Sequence, residues 1–149
     1  MKNNVCISNS HSHSSHSDEE TRKIARDFAK NLTGGTVVLL FGDLGTGKTV
    51  FVKGVGEAFG ISGVKSPSFT LINEYETSSG LLIVHADLYR LDSDGVNAIG
   101  LDEYAGSDDA VLFVEWPQRW ANPPVRKTVR IYFEALGESE REIRIEAAQ

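Results

Sequence analysis

The sequence predicts an α/β fold in which helices flank a central, mostly parallel sheet with antiparallel strands at its edges. Two observations carry this prediction. Runs of consecutive apolar residues, at 37–41 and 110–114, are typical of strands buried on both faces, as in parallel sheets. The C-terminal segments 128–133 and 140–146 alternate apolar with charged residues, which is typical of an antiparallel hairpin with one face in water. Layered helices and strands of this kind define an α/β architecture.

The remaining elements are read from helical spacing and turn residues. Ser17 and Glu20 have capping-box spacing, and apolar residues recurring at helical intervals predict a helix over 18–32. A second helix is predicted from Lys48 to Phe59, before the glycines that end it. Strands are predicted over 69–76 and 81–86. Short helical pieces are predicted over 94–106, and a strand is predicted from Ala110 to Val114.

The composition is that of an ordinary globular protein. The chain has 149 residues, 40% of them hydrophobic and 24% charged, which fits one domain with one core. The longest apolar run is too short to cross a membrane, and the N-terminus carries no secretory signal pattern. A single cysteine, Cys6, agrees with a reducing compartment, so we expect a cytoplasmic protein. The net charge of −6 disfavours direct, free-standing binding to nucleic acid.

Residues 1–16 are rich in histidine and serine and are expected to form a flexible leader before a single domain over 17–149. An alternative reading is a transition-metal site, because neutral imidazoles bind such metals. Its ligands would be His11, His13 and His16.

A glycine-rich loop follows the first apolar strand. Residues 42–49 read GDLGTGKT and fit the phosphate-binding pattern G-x-x-x-x-G-K-[ST] at every required position. The glycines let backbone N–H groups approach phosphate oxygens, and the following helix adds positive charge at its N-terminus. Lys48 is expected to reach the β- and γ-phosphates, and the Thr49 hydroxyl to bind Mg²⁺. The loop therefore predicts a P-loop NTPase fold that binds ATP or ADP with Mg²⁺. The candidate nucleotide-binding residues in it are Gly42, Asp43, Leu44, Gly45, Thr46, Gly47, Lys48, Thr49 and Val50.

Acidic residues stand at the ends of two apolar strands. Asp87 follows the run 81–86, and Glu115 follows 111–114. Ligands of open α/β sheets bind at the carboxyl ends of strands, and a phosphate loop needs an acid there for Mg²⁺. The residues alone leave open which of the two acids serves the metal.

Further candidates surround these acids. Segment 66–70, SPSFT, offers the hydroxyls of Ser68 and Thr70 as sensors of a γ-phosphate, in the manner of switch loops. Trp116 is a candidate for stacking on a base or a partner, with a core position as the alternative. Arginines that could supply transition-state charge are Arg90, Arg119 and Arg126.

Several motifs together resemble one family. The segments 42–54, 64–75, 85–92, 100–104 and 111–120 contain the phosphate loop, SPSFTL, HADLYRL, GLDEY and VEWP in this order. They resemble the bacterial TsaE (YjeE) family, the ATPase of tRNA threonylcarbamoyladenosine biosynthesis, over roughly residues 17–145. The family usually has SPTF in the switch segment, so Ser68 keeps the hydroxyl and loses a methyl group.

The resemblance implies a weak, Mg²⁺-dependent ATPase that works with TsaD and TsaB and reaches tRNA indirectly, through that complex. The complex makes the N6-threonylcarbamoyl modification of adenosine 37. By motif match, Glu115 is implied as the second protein ligand of Mg²⁺ and Asp87 as an essential acid near the γ-phosphate. Trp116 is implied as part of the nucleotide site. With Lys48 and Ser68, Asp87 completes the implied catalytic set.

Three other functions are weighed on the same residues. A small-molecule or nucleotide kinase needs an arginine-bearing lid, whereas 93–109 is short, acidic and free of arginine. A GTPase is disfavoured because the D-x-x-G at 92–95 does not follow an apolar strand and no N-K-x-D element is present. A non-catalytic nucleotide-binding adaptor remains an alternative.

Overall fold

The computed structural model describes residues 9–124 and 127–147, which build a seven-stranded mixed sheet with helices on both faces. The strands are β1 (Asn9–Ser15), β2 (Val37–Phe41), β3 (Ile72–Glu76), β4 (Leu82–Asp87), β5 (Ala110–Glu115), β6 (Thr128–Ala135) and β7 (Arg141–Ala147). The helices are α1 (Asp18–Ala29), α2 (Lys48–Ala58), α3 (Ser93–Ala98) and α4 (Leu101–Ala105), with a 3₁₀ turn at Pro117–Arg119.

The sheet order is β1-β7-β6-β2-β5-β4-β3. The four inner strands β6, β2, β5 and β4 run parallel, and the pairings β1–β7, β7–β6 and β4–β3 are antiparallel. The predicted α/β architecture with antiparallel margins is confirmed. The expectation of a mostly parallel sheet is wrong, because three of the six pairings are antiparallel.

The central strand β2 is buried on both faces, as its unbroken apolar run predicts. Val38 and Leu40 face a core that α1 and α2 cover, whereas Val37 and Leu39 face a second core beneath α3 and α4. Because both faces are covered, the chemistry-bearing groups at the carboxyl end of β2 sit on a rigid support.

Helix α1 begins as the capping spacing predicts. The Ser17 side chain accepts a hydrogen bond from the Glu20 N–H (3.1 Å), and the Glu20 carboxylate accepts one from the His16 N–H (2.6 Å). The helix ends at Ala29 rather than at residue 32, since the Asn31 and Leu32 N–H groups bond carbonyls three residues back.

Residues 9–15 are a strand, which corrects the expected flexible leader over 1–16 for this part; residues 1–8 lie outside the described residues. Strand β1 pairs with β7 from Asn9↔Ala147 to Ser15↔Arg141. At its end the buried Ser15 hydroxyl lies 2.7 Å from the Thr21 hydroxyl and 2.9 Å from the Ser17 carbonyl oxygen. Backbone pairing and this buried contact order a segment whose polar composition resembles a linker.

Among the residues that the structure describes, no helix is long and apolar enough to cross a membrane.

Candidate functional site

The glycine-rich loop connects the end of β2 to the start of α2. Gly42, Gly45 and Gly47 have φ angles of 153°, 76° and 101°, in the region that favours glycine. Gly42 also has no room for a side chain, because a Cβ there would lie 2.9 Å from the Phe133 carbonyl oxygen. Thr46 holds the loop closed through a hydrogen bond of 2.7 Å from its hydroxyl to the Asp43 carbonyl. The loop is therefore preformed.

Lys48 lies at the first position of α2, only 4% exposed. Its ammonium donates a 2.5 Å hydrogen bond to the Gly42 carbonyl and lies 4.5 Å from the centroid of the Trp116 ring. Burial lowers the pKa of Lys48, and the charges of Glu115 and Asp87 oppose that shift. An ammonium so desolvated gains strongly from an anionic ligand in the loop.

Glu115 ends β5 and is the junction of two polar contacts. Its Oε2 lies 2.7 Å from His85 Nε2, and the same oxygen lies 3.5 Å from the Thr49 hydroxyl. His85 and Glu115 are 0% and 5% exposed. Because a carboxylate oxygen only accepts hydrogen bonds, His85 donates from Nε2 to Glu115 and fixes the orientation of the carboxylate.

Asp87 is the register partner of Glu115 on the neighbouring parallel strand β4. Burial raises the pKa of Asp87, and the Glu115 carboxylate raises it further. The Tyr89 N–H opposes this by donating a 3.0 Å hydrogen bond to Asp87 Oδ1. The neighbouring carboxylates of Asp87 and Glu115, whose charges both act on Lys48, form a site that favours a cation or a proton.

Lys48, Thr49, Asp87 and Glu115 line one cavity of about 340 Å³ at the carboxyl ends of the parallel strands. It falls within the size range of small-molecule sites. Of the residues predicted from sequence, the structure brings to this cavity Leu44, Gly45, Gly47, Lys48, Thr49, Val50, Ser68, Asp87, Glu115 and Trp116. Gly42, Asp43 and Thr46 shape the loop without lining the cavity.

The switch segment is placed at the mouth of the cavity. The hydroxyls of Ser66 and Ser68 lie 2.6 Å apart, and both residues line it. Thr70, the other candidate sensor, instead donates a 2.5 Å hydrogen bond to the Asn73 side chain. Ser68 is therefore the better placed of the two hydroxyls.

The arginines considered from sequence are engaged elsewhere. Arg90 stacks on Phe69 at 4.6 Å, Arg119 donates a 3.2 Å hydrogen bond to the Leu91 carbonyl, and Arg126 lies outside the described residues. The arginine at the cavity is Arg141, at the start of β7. Sequence reasoning missed it, because only the folded hairpin brings it to the loop.

The structure bears on the GTPase and kinase alternatives through the segments on which each depends. The D-x-x-G segment is a helix cap, in which the Asp92 side chain accepts a 2.8 Å hydrogen bond from the Gly95 N–H. Residues 93–105 form the short helices α3 and α4, anchored in the core by the buried Val96 and Leu101. This segment is packed rather than free to act as a lid.

The residues present fit a nucleotide with Mg²⁺. The Thr49 hydroxyl oxygen and Glu115 Oε2 lie 3.5 Å apart, and both are oxygen ligands of the kind that Mg²⁺ prefers. Magnesium in phosphate sites takes one or two protein carboxylates and completes its shell with water and phosphate. No atom of the residues that the structure describes lies within 4 Å of a Cβ built on Gly45, so the described part of the chain leaves the loop open on that side.

The fold and this site define an α/β protein that presents a glycine-rich loop and two acids at one edge of a mixed sheet. The family described as "Threonylcarbamoyl adenosine biosynthesis protein TsaE" matches residues 15–143. The chain belongs to this TsaE family, whose members are involved in the biosynthesis of threonylcarbamoyladenosine in tRNA.

Comparison with individual proteins gives the same family. The chain is 43% identical over 132 residues to the tRNA threonylcarbamoyladenosine biosynthesis protein TsaE of Aquifex aeolicus, covering 87% of this chain and 90% of that one. It is 40% identical over 127 residues to the Bacillus subtilis protein of the same name, covering 84% and 78%. A crystal structure of Bacillus subtilis YdiB superposes with a TM-score of 0.79 at 34% identity, covering 96% of this chain and 88% of that one.

Proposed function

We propose that this protein is a P-loop ATPase that hydrolyses ATP with Mg²⁺. Hydrolysis is slow for the protein alone and faster with TsaD and TsaB. It supports the threonylcarbamoylation of tRNA in the cytoplasm. The observation that carries the proposal is one cavity that contains a preformed glycine loop, a desolvated lysine and two strand-end acids. This is the donor set that phosphoryl transfer requires.

In this proposal each side chain has a distinct task. The Lys48 ammonium leaves the Gly42 carbonyl and binds the β- and γ-phosphates, neutralising charge that develops on them. Thr49 and Glu115 would hold Mg²⁺, which when bound would neutralise negative charge on the phosphates. Asp87, with its raised pKa, orients the attacking water and accepts a proton from it. Ser68 senses the γ-phosphate by donating a hydrogen bond to it from its hydroxyl.

Partner binding is supported by exposed apolar side chains that line the cavity or adjoin residues that line it. Leu44 and Phe69 are 67% and 83% exposed, and Tyr89, tilted against Trp116, is 41% exposed. Exposed apolar groups concentrated at a functional edge mark protein interfaces. A partner that covers them would exclude water from the cavity and strengthen its electrostatics. The net charge of −6 fits a contact with tRNA that runs through these partners.

The experiment is ATP turnover by the purified protein, alone and with TsaD and TsaB, in the presence of Mg²⁺. We expect slow turnover alone and strong stimulation by the partners. Lys48→Ala abolishes both activities, whereas Lys53→Ala, an exposed lysine on the same helix, changes neither. Absence of turnover with the partners present would refute the proposal. Transfer of phosphate to an added small-molecule acceptor would instead indicate a kinase.

A further inference from the structure

A second cavity lies against α1 at the β1 margin of the sheet. Its volume is about 570 Å³, and it shares no lining residue with the phosphate-loop cavity. Apolar side chains from α1, from the residues after it and from β6 and β7 line much of it: Ile24, Phe28, Leu32, Val129 and Ile145. Its polar lining includes two histidines of β1, His11 and His13. Imidazole is the commonest metal ligand in proteins, so this pair is a candidate site.

The two histidines lie on the same face of β1, because residues two apart on a strand point to the same side. Their register partners on β7 are Ile145 and Ile143, which belong to or pack against the core that α1 covers. Ser15, a further two residues along the strand, contacts α1 through its buried hydroxyl. His11 and His13 therefore share the side of β1 that faces α1.

Both imidazoles are available to a ligand. The two residues are exposed, and neither side chain has a hydrogen bond, ion pair or ring contact in the part of the chain that the structure describes. His16 differs, because its Nδ1 lies 3.3 Å from the Glu20 carboxylate and its Nε2 lies 3.6 Å from that of Glu140. Of the three histidines considered as ligands from the sequence, the fold thus brings two to one cavity and pairs the third elsewhere.

Two imidazoles at this spacing suit one transition-metal ion. Their Cα atoms are about 6.6–6.8 Å apart along a strand, so the two rings can converge above the residue between them. Imidazole favours Zn²⁺, Cu²⁺ and Ni²⁺, whereas Mg²⁺ favours oxygen ligands. Within residues 9–124 and 127–147, no group of three or more histidine, cysteine or acidic side chains is arranged to hold an ion. Asp27, which lines the same cavity, pairs with Lys30 at 3.1 Å. The two imidazoles are therefore the protein ligands, and water completes the coordination shell.

We propose that His11 and His13 chelate one divalent transition-metal ion, of the class of Zn²⁺, Cu²⁺ and Ni²⁺, on the side of β1 that faces α1. The paired strand fixes the spacing of the two rings, so the ion binds the folded chain more tightly than the unfolded one. Binding therefore stabilises the fold. This inference is independent of the proposed nucleotide site, because the two cavities share no residue.

The test is calorimetric titration of Zn²⁺ into the full chain carrying Cys6→Ser, with excess Mg²⁺ present. The substitution removes a thiol that would itself bind Zn²⁺, and Mg²⁺ competes for the oxygen ligands of the phosphate-loop cavity. We expect one Zn²⁺ per chain that depends on the histidine pair. His11→Ala and His13→Ala should each weaken this binding by about tenfold or more, since losing even a group behind a metal ligand costs that much.

Thermal unfolding provides a second measurement. Zn²⁺ should raise the unfolding temperature of the Cys6→Ser chain but not that of the same chain with both His11→Ala and His13→Ala. Without metal the unfolding temperatures of the two should agree, because both histidines are exposed and make no side-chain contact in the described part of the chain. Binding without any rise in unfolding temperature would contradict a site formed by the folded strand.

The matched control is His16→Ala, which removes a histidine of the same segment that lies between two carboxylates. It should bind Zn²⁺ with unchanged affinity. An equal loss in His16→Ala would show that the histidine-rich segment binds metal without the strand geometry, and it would overturn the proposal. Unchanged Zn²⁺ affinity in His11→Ala and His13→Ala, or no binding that depends on them, would overturn it as well.

Discussion

His85 Nε2 and Glu115 Oε2 lie 2.7 Å apart, and of the two residues Glu115 lines the cavity while His85 is fully buried behind it. The other ring nitrogen, Nδ1, is buried without a hydrogen-bond partner among the residues the structure describes. An unpaired buried nitrogen costs stability, so this histidine is not explained by packing alone. Its hydrogen bond holds the carboxylate that faces Thr49, as groups behind metal ligands do.

We therefore expect His85→Leu to raise the Mg²⁺ concentration that half-saturates the metal-dependent part of ADP binding, by about tenfold. His85→Gln should stay close to the wild type, because its amide nitrogen can donate to Glu115 from a similar position. Calorimetric titration at several Mg²⁺ concentrations measures the midpoint, and thermal unfolding shows that each variant is folded. An unchanged midpoint in His85→Leu would show that the hydrogen bond does not serve the metal.

Because the pKa of Asp87 is raised, we expect this residue to lower the stability of the fold at high pH while it supports ATP turnover. Because the pKa is raised in the folded state, the ionised carboxylate destabilises the fold at pH values above it. Asp87→Asn removes this cost and should raise the unfolding temperature at pH 8, by about 2–4 °C for each kcal/mol released. The gain should shrink as pH falls through the raised pKa and vanish below the ordinary value of 3.8, where wild-type Asp87 is protonated in both states.

The same variant should lose partner-stimulated ATP turnover while it still binds ADP. Asp94→Asn, an exposed aspartate in the first turn of α3, is the control and should alter neither property. If Asp87→Asn lowers stability at pH 8, the electrostatic account of this residue is incorrect.

The contact between Lys48 and Trp116 provides an optical reporter of binding. If the ammonium moves from the indole face to phosphates, the environment of Trp116 changes, whereas the buried Trp120 in the core does not sense the move. Addition of ADP should therefore change tryptophan fluorescence in the wild type and in Trp120→Phe. The change should be lost in Trp116→Phe. A signal that survives in Trp116→Phe would place the reporter elsewhere.

The ordered segment at the N-terminus can be tested through Ser15. Ser15→Ala leaves the buried Thr21 hydroxyl without this partner and should lower the free energy of unfolding by about 1–3 kcal/mol. Ser12→Ala, at an exposed position of the same strand, should stay within about 0.5 kcal/mol of the wild type. Urea denaturation measures both. Equal stabilities for the two variants would mean that the Ser15–Thr21 contact adds little to the fold.

The central elements of the fold follow from sequence because their signals are local. The apolar run of β2, the glycines of the loop and the acids that end β4 and β5 each lie within a few consecutive residues. Since parallel strands end at one edge of a sheet, Asp87 and Glu115 could be placed together before the fold was known.

The features that the sequence did not predict depend on contacts between segments that lie far apart in the chain. Strand β1 is polar throughout and is a strand because its backbone pairs with β7. This antiparallel pairing is one of the three that make half of the pairings in the sheet antiparallel. Arg141 reaches Gly47 only because the hairpin folds back beside β2. The His85–Glu115 hydrogen bond joins two strands 30 residues apart, and no local pattern indicates it.

The most direct test of the account is equilibrium binding of ADP with Mg²⁺, measured by calorimetry on the wild type and Lys48→Ala. The account predicts one site per chain in the wild type and affinity at least about tenfold lower in Lys48→Ala, since a charge-assisted contact to phosphate is lost. Wild-type protein that binds no ADP, or Lys48→Ala that binds it equally well, would contradict the claim that this loop holds a nucleotide.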